Sequence, residues 1–114
     1  MERMIEVCCG SYDDALASER GGASRIELNS ALYLGGLTPS LASLILTKKN
    51  TNLKVITMVR PRGAGFCYTD EEFETMLCDT RLMMVKLMLN RQSRSSILFK
   101  NTMVKLYSIV HLTV

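Results

Sequence analysis

Three short apolar runs recur along this chain, at 4–9, 24–29 and 53–59, and each is followed by a stretch with helix punctuation. Ser11 is placed to cap a helix over 12–20, which Gly21 and Gly22 end. Thr38 before Pro39 predicts an N-cap with proline in the first helical position, opening a helix over 39–49. Thr69 and Glu72 have capping-box spacing and open a third helix that runs to about 86. Residues 30–37 and 60–68 read as loops. The order is βαβαβα, so strands that neighbour each other must run parallel with right-handed crossovers between them. An α/β fold follows.

The chain has 114 residues, enough for one domain. With 47% hydrophobic and 22% charged residues it is globular in composition. A net charge of +3 with no basic cluster argues against a nucleic-acid partner. No apolar run reaches the roughly 18 residues of a membrane span, and the N-terminal M-E-R-M-I-E-V lacks the apolar core of a signal peptide. A cytoplasmic protein is expected. The four cysteines, Cys8, Cys9, Cys67 and Cys78, form no C-x-x-C pair. His111 is the only histidine and lies in the tail, so no Ser-His or Cys-His catalytic pair is available in the punctuated part. Met76, Met83, Met84 and Met88 recur at helical spacing and read as core packing.

The run V-I-T-M-V-R-P-R-G (55–63) delivers two fixed positive charges, Arg60 and Arg62, at the C-terminal end of an apolar strand. In parallel α/β proteins that end is where ligands sit. The earlier strands, I-E-V-C (5–8) and R-I-E-L-N (25–29), each carry a glutamate. Strand side chains alternate, so Glu6 with Cys8, Arg25 with Glu27 and Asn29, and Ile56 with Met58 and Arg60 share one face. The opposite face (Ile5, Val7, Ile26, Leu28, Val55, Thr57, Val59) is apolar and β-branched in character and suits a cover of helices. The mixed face then lines either a salt-bridge network with no ligand or a charged pocket. In the second case Glu6, Arg25, Glu27, Arg60 and Arg62 form its floor and rim, and the arginine forks suit phosphate or carboxylate. Cys8 and Met58 stand on the same face as soft sulfur donors of the kind copper(I) favours.

Residues 87–114 differ in character. They hold four of the 14 Lys/Arg and none of the acids, glycines or prolines. S-I-L-F (96–99) and L-Y-S-I-V-H-L (106–112) have strand character, without turns to organise them.

The blocks E-V-C (6–8), G-G-A-S-R-I-E-L (21–28), G-G-L-T-P-S (35–40), R-P-R-G (60–63) and Y-T-D-E-E-F-E (68–74) resemble, in order and spacing, the N-terminal part of the CutC copper homeostasis proteins. The resemblance covers about residues 4–86. It implies a TIM (β/α)8-barrel family fold, represented here by about three βα units (1–86) and a divergent tail (87–114). It also implies a cytosolic copper homeostasis role with copper(I) as the bound ion. Cys8 matches one of two family cysteines proposed for copper; the second falls at Asn29. Gly10 and Gly65 stand where the family has acids. A frameshift, retained intron or alternative exon would account for the tail. Three of eight βα units cannot close a barrel, so the first and third strands are expected to expose open edges, with self-association as one way to cover them. The rival readings are a barrel enzyme acting on a small phosphorylated or carboxylated substrate through Arg60 and Arg62, and a truncated isoform without function.

Overall fold

Capping chemistry sets the helix starts. The computed structural model describes residues 3–89, 97–100 and 110–112. Its elements are β1 (Glu6–Cys9), α1 (Tyr12–Arg20), β2 (Arg25–Leu28), a single 3-10 turn (Leu32–Leu34), α2 (Leu41–Asn50), β3 (Lys54–Met58), α3 (Asp70–Leu89), β4 (Ile97–Lys100) and β5 (Val110–Leu112). The Ser11 hydroxyl accepts from the Asp14 N–H at 3.1 Å to start α1. At α3 the box closes in both directions: the Glu72 N–H donates to Thr69 Oγ1 at 3.2 Å, and the Thr69 N–H donates to Glu72 Oε2 at 2.9 Å. The start of α2 departs from expectation. Ser40, not Thr38, is the N-cap, accepting from the Ser43 N–H at 3.1 Å. The Thr38 hydroxyl is used elsewhere: it accepts from the Arg60 N–H at 2.9 Å and donates to the Arg60 carbonyl at 3.0 Å. A hydroxyl tied to the end of β3 cannot also cap a helix two residues on.

The sheet has the order β1-β2-β3-β4-β5. The first four strands are parallel, and β5 joins β4 antiparallel. β4 lies beside β3, so the third strand is not the open edge that a three-unit fragment predicts. β1 remains an edge strand. The tail therefore contributes two strands, the first within one residue of the run at 96–99.

One sheet face carries the helices. Cys9, Ile26, Leu28, Val55 and Val59 form the buried cluster with Ala15 of α1, Leu44 of α2, and Met76, Met83 and Leu87 of α3. Ile26, Leu28, Val55 and Val59 are apolar alternating positions anticipated from sequence; Ile5, expected on the same face, is 54% exposed just ahead of the edge strand. Ile26, Leu28 and Leu44 are fully buried, each contributing about 1.5–3 kcal/mol of burial free energy before entropy is subtracted. Of the four helical methionines, Met76 and Met83 are core and Met84 packs against it, but Met88 is 57% exposed. Met88 shares the last turn of α3 with the buried Leu87 but stands on its exposed side.

Candidate functional site

The face opposite the helices carries Glu6, Cys8, Arg25, Glu27, Asn29, Ile56, Met58 and Arg60, and none of them belongs to the helix-packed core cluster. Burial rises along this face from the N-terminal to the C-terminal strand ends. Glu6 and Cys8 are exposed and Arg25 is half-buried, while Glu27, Asn29, Met58 and Arg60 are buried. The cause is the two loops after β2 and β3, which fold back over the upper end.

At the lower end, Arg25 forms an ion pair with Glu6. Their strands place them directly abreast. Arg25 Nε makes no directed hydrogen bond, so the attraction is Coulombic, between two side chains about a third exposed. One row up, Cys8 is abreast of Glu27, and its thiol donates to Glu27 Oε1 at 3.9 Å. Asn29 Nδ2 donates to the same Oε1 at 3.3 Å and to the Glu27 carbonyl at 3.1 Å. The adjacent Cys9 points the other way. It is fully buried, its sulfur lies 3.3 Å from Ser18 Oγ, and burial pushes its thiol pKa up. Cys9 is thus a packing residue that stays protonated.

Arg60 and Arg62 behave differently from each other. Arg60 is 6% exposed. Its Nη1 donates to the Leu34 carbonyl at 2.9 Å and to the Gly36 carbonyl at 3.2 Å, and its Nη2 to the Ala64 carbonyl at 2.7 Å. The Phe66 ring lies over the guanidinium, 4.9 Å from Cζ to centroid. This one side chain clamps the 30–37 loop to the 60–68 loop. Arg62 organises its own loop. It grips Glu72 through Nε and Nη2 at 2.6 and 3.1 Å, and donates to the Gly63, Gly65 and Cys67 carbonyls at 2.7–2.9 Å. All five of its donors are engaged, so Arg62 has none left for an anion. These contacts brace the start of α3.

The Arg62 hydrogen bond, with a second from the Thr69 N–H, holds the Glu72 carboxyl below the usual carboxylate range. A folded pKa below the unfolded one contributes stability above the unfolded value and loses it as pH falls through the folded value. Acidification from pH about 6 to about 3 is therefore expected to lower the thermal midpoint of the wild type more than that of Glu72→Gln. Parallel pH profiles for the two chains would remove this brace from the account.

Sequence reading puts Asn29 on the mixed face without a role of its own and treats Gly35 and Gly36 only as loop. Both glycines have positive φ, +86° and +91°, and a Cβ on Gly36 would stand 2.4 Å from Asn29 Oδ1. The glycine doublet within the loop after β2 is the available signal for a close backbone approach. A separate hollow of about 500 Å³ lies between the start of α2 and α3, lined by Thr38, Ser40, Asp79 and Met83 among others. It lies against the helices, apart from Cys8 and Glu27.

A largely parallel sheet with helices on one face, and charged and sulfur-bearing side chains on the other, defines an α/β protein. The sequence pattern of the CutC family matches residues 3–91, a little beyond the end of the quoted blocks. This chain belongs to the CutC family. A CutC family protein of Treponema denticola is 62% identical over 78 residues, 68% of this chain and 32% of that protein. The copper homeostasis protein cutC homologs of Mus musculus and Homo sapiens are each 48% identical over 79 residues, 69% of this chain and 29% of theirs. A crystal structure of CutC from Streptococcus agalactiae superposes with a TM-score of 0.64 at 28% identity, covering 83% of this chain and 44% of that one. The chain thus spans about a third of the length of its curated relatives. Its described residues form an open sheet. No helix of the described residues is long and apolar enough to cross a membrane.

Proposed function

We propose that this chain serves copper homeostasis in the cytoplasm by holding copper(I), as cargo, at Cys8. Two things support this reading: membership of a family whose mammalian homologs carry that name, and a thiol on the helix-free face with a carboxylate oxygen 3.9 Å away. Copper(I) prefers soft thiolate and thioether donors, and it displaces the thiol proton on binding. Glu27 is placed to receive that proton.

One chain does not complete the site. No group of three or more His, Cys, Asp and Glu residues converges among the described residues. Met58, the second donor expected from sequence, lies two strands and one row away, since Cys8 is level with Glu27 and Ile56. Strand spacing of about 4.8 Å and rise of about 3.3 Å per residue put the two Cα atoms roughly 12 Å apart. Met58 is also buried where Cys8 is exposed. Strand side chains stand roughly perpendicular to the sheet, so the two sulfurs keep most of that separation, and metal bonds of about 2.3 Å to each do not span it. The second thiolate comes instead from another molecule. β1 is the edge strand, so the Cys8 of a second copy has access to the first.

Anaerobic titration with copper(I) against a chromophoric copper(I) chelator tests this. A single ion shared by two chains is expected, with binding lost in Cys8→Ser. Unchanged affinity in Cys8→Ser would overturn the reading and leave a barrel-derived enzyme fragment as the better account.

A further inference from the structure

The hollow between the start of α2 and α3, of about 500 Å³, has walls of two kinds. Leu41 of α2 with Leu82 and Met83 of α3 supply hydrocarbon, and Ser30, Thr38, Ser40 and Asp79 supply oxygen. Each of the three hydroxyls has already given its proton away. Ser30 Oγ donates to the Thr38 carbonyl at 2.8 Å, Thr38 Oγ1 to the Arg60 carbonyl at 3.0 Å, and Ser40 Oγ to Ser43 Oγ at 2.9 Å. A hydroxyl has one proton and two lone pairs, so these oxygens can offer the hollow acceptors only. The backbone adds few donors there: the Ser30 and Thr38 N–H groups are bonded to the Leu37 and Arg60 carbonyls at 2.9 and 3.0 Å, and Pro39 has no N–H.

Asp79 is the one charged side chain among the described residues that line this space, and it is half-buried. It forms no ion pair or hydrogen bond among the described residues. Acceptors around one unpaired carboxylate are complementary to a donor that carries positive charge. A metal ion fits poorly. Hard cations take six or more oxygen ligands, with several carboxylates among them, and no group of three or more His, Cys, Asp and Glu converges among the described residues. The hydrocarbon wall calls for an apolar part as well, since Leu82 is still 50% exposed.

We infer that this hollow is a binding site for a small primary alkylamine. Its ammonium, with three donors, lies by Asp79, with the Ser30 and Ser40 oxygens as further acceptors. Its short alkyl chain covers Leu41, Leu82 and Met83. A neutral alcohol of the same length gains the hydrocarbon contacts but not the charge. A carboxylate is repelled by Asp79, although the N–H groups at the start of α2 would favour it. The site lies on the helix side of the sheet, apart from Cys8, and stands whether or not copper binds there.

The test is NMR on the full chain with 13C in the methionine methyls. Met83 lines the hollow, and Met76, equally buried, is outside its lining. n-Butylamine, n-butanol and butyrate are titrated in turn at neutral pH and fixed ionic strength, with the Met83 signal identified from Met83→Leu. The Met83 methyl is expected to shift saturably with n-butylamine while Met76 stays in place. The affinity is expected to be about fivefold above that for n-butanol, the top of the range for an ion pair open to water. In Asp79→Asn that advantage disappears. The absence of a saturable shift with n-butylamine would sink the inference, as would equal affinities for amine and alcohol in the wild type, or an advantage that persists in Asp79→Asn. A preference for butyrate would assign the hollow to the N–H groups of α2 and overturn it too. The wild-type ranking decides even if Asp79→Asn does not fold.

Discussion

Gly36→Ala is expected to destabilise the chain by about 2–4 kcal/mol, measured by urea unfolding. Two costs combine. Gly36 has φ +91°, where any L-residue is strained. Its new Cβ would also stand 2.4 Å from Asn29 Oδ1 and 3.0 Å from Asn29 Cγ, closer than real contacts allow. Asn29 is 2% exposed and its amide nitrogen is held by Glu27, so it cannot swing out of the way cheaply. Gly22→Ala separates the two terms. Gly22 has φ +95°, yet nothing lies within 4 Å of its Cβ position, so it should show the backbone penalty alone, about 1–2 kcal/mol. Equal losses at the two positions would mean that Gly36 and Asn29 do not pack as described.

Arg60→Lys is expected to cost about 3 kcal/mol and to loosen both loops together. The charge is kept, but an ammonium on a flexible stem cannot reach three carbonyls that diverge in the plane of a guanidinium. Leu34, Gly36 and Ala64 would lose a charge-assisted partner, and a buried cation would be left imperfectly solvated. Limited proteolysis should then cut within 30–37 and 60–68 at the same concentration of denaturant, because one side chain joins them. Arg62→Lys should cost less, since Arg62 and Glu72 are about a third and a quarter exposed and water can replace what is lost. Cleavage confined to 60–68 in Arg60→Lys would dissolve the clamp.

The folding pattern was legible because it is local. Ser11, the Thr69–Glu72 box and the alternation in β1, β2 and β3 each act within a few residues, and the structure has the three helices and the two sheet faces that they predict. Where a local signal was ambiguous, a distant partner decided. Thr38 and Ser40 are both good caps by type, and Arg60 takes Thr38. S-I-L-F reads as a strand on its own residues, but nothing in those residues says that it lies parallel against β3.

The candidate site was half legible. Glu6, Cys8, Arg25, Glu27 and Arg60 could be put on one face by counting in twos, and membership of the CutC family was readable from five short blocks. Counting could not tell Arg60 from Arg62, since both follow the same strand. Nor could it show that β2 lies between Cys8 and Met58, because strand order and register are relations between chain segments that share no local signal.

By itself, then, the sequence determined the strand and helix periods, the apolar and mixed sheet faces, and the family. These depend on side-chain spacing of two or about four residues, which a single segment carries. Tertiary structure alone decided which arginine has all its donors engaged, that Asn29 and Gly36 meet, and that β4 covers the far side of β3. Those facts depend on how far each donor is from its nearest acceptor in space, and that distance is set only when the loops close over the strand ends.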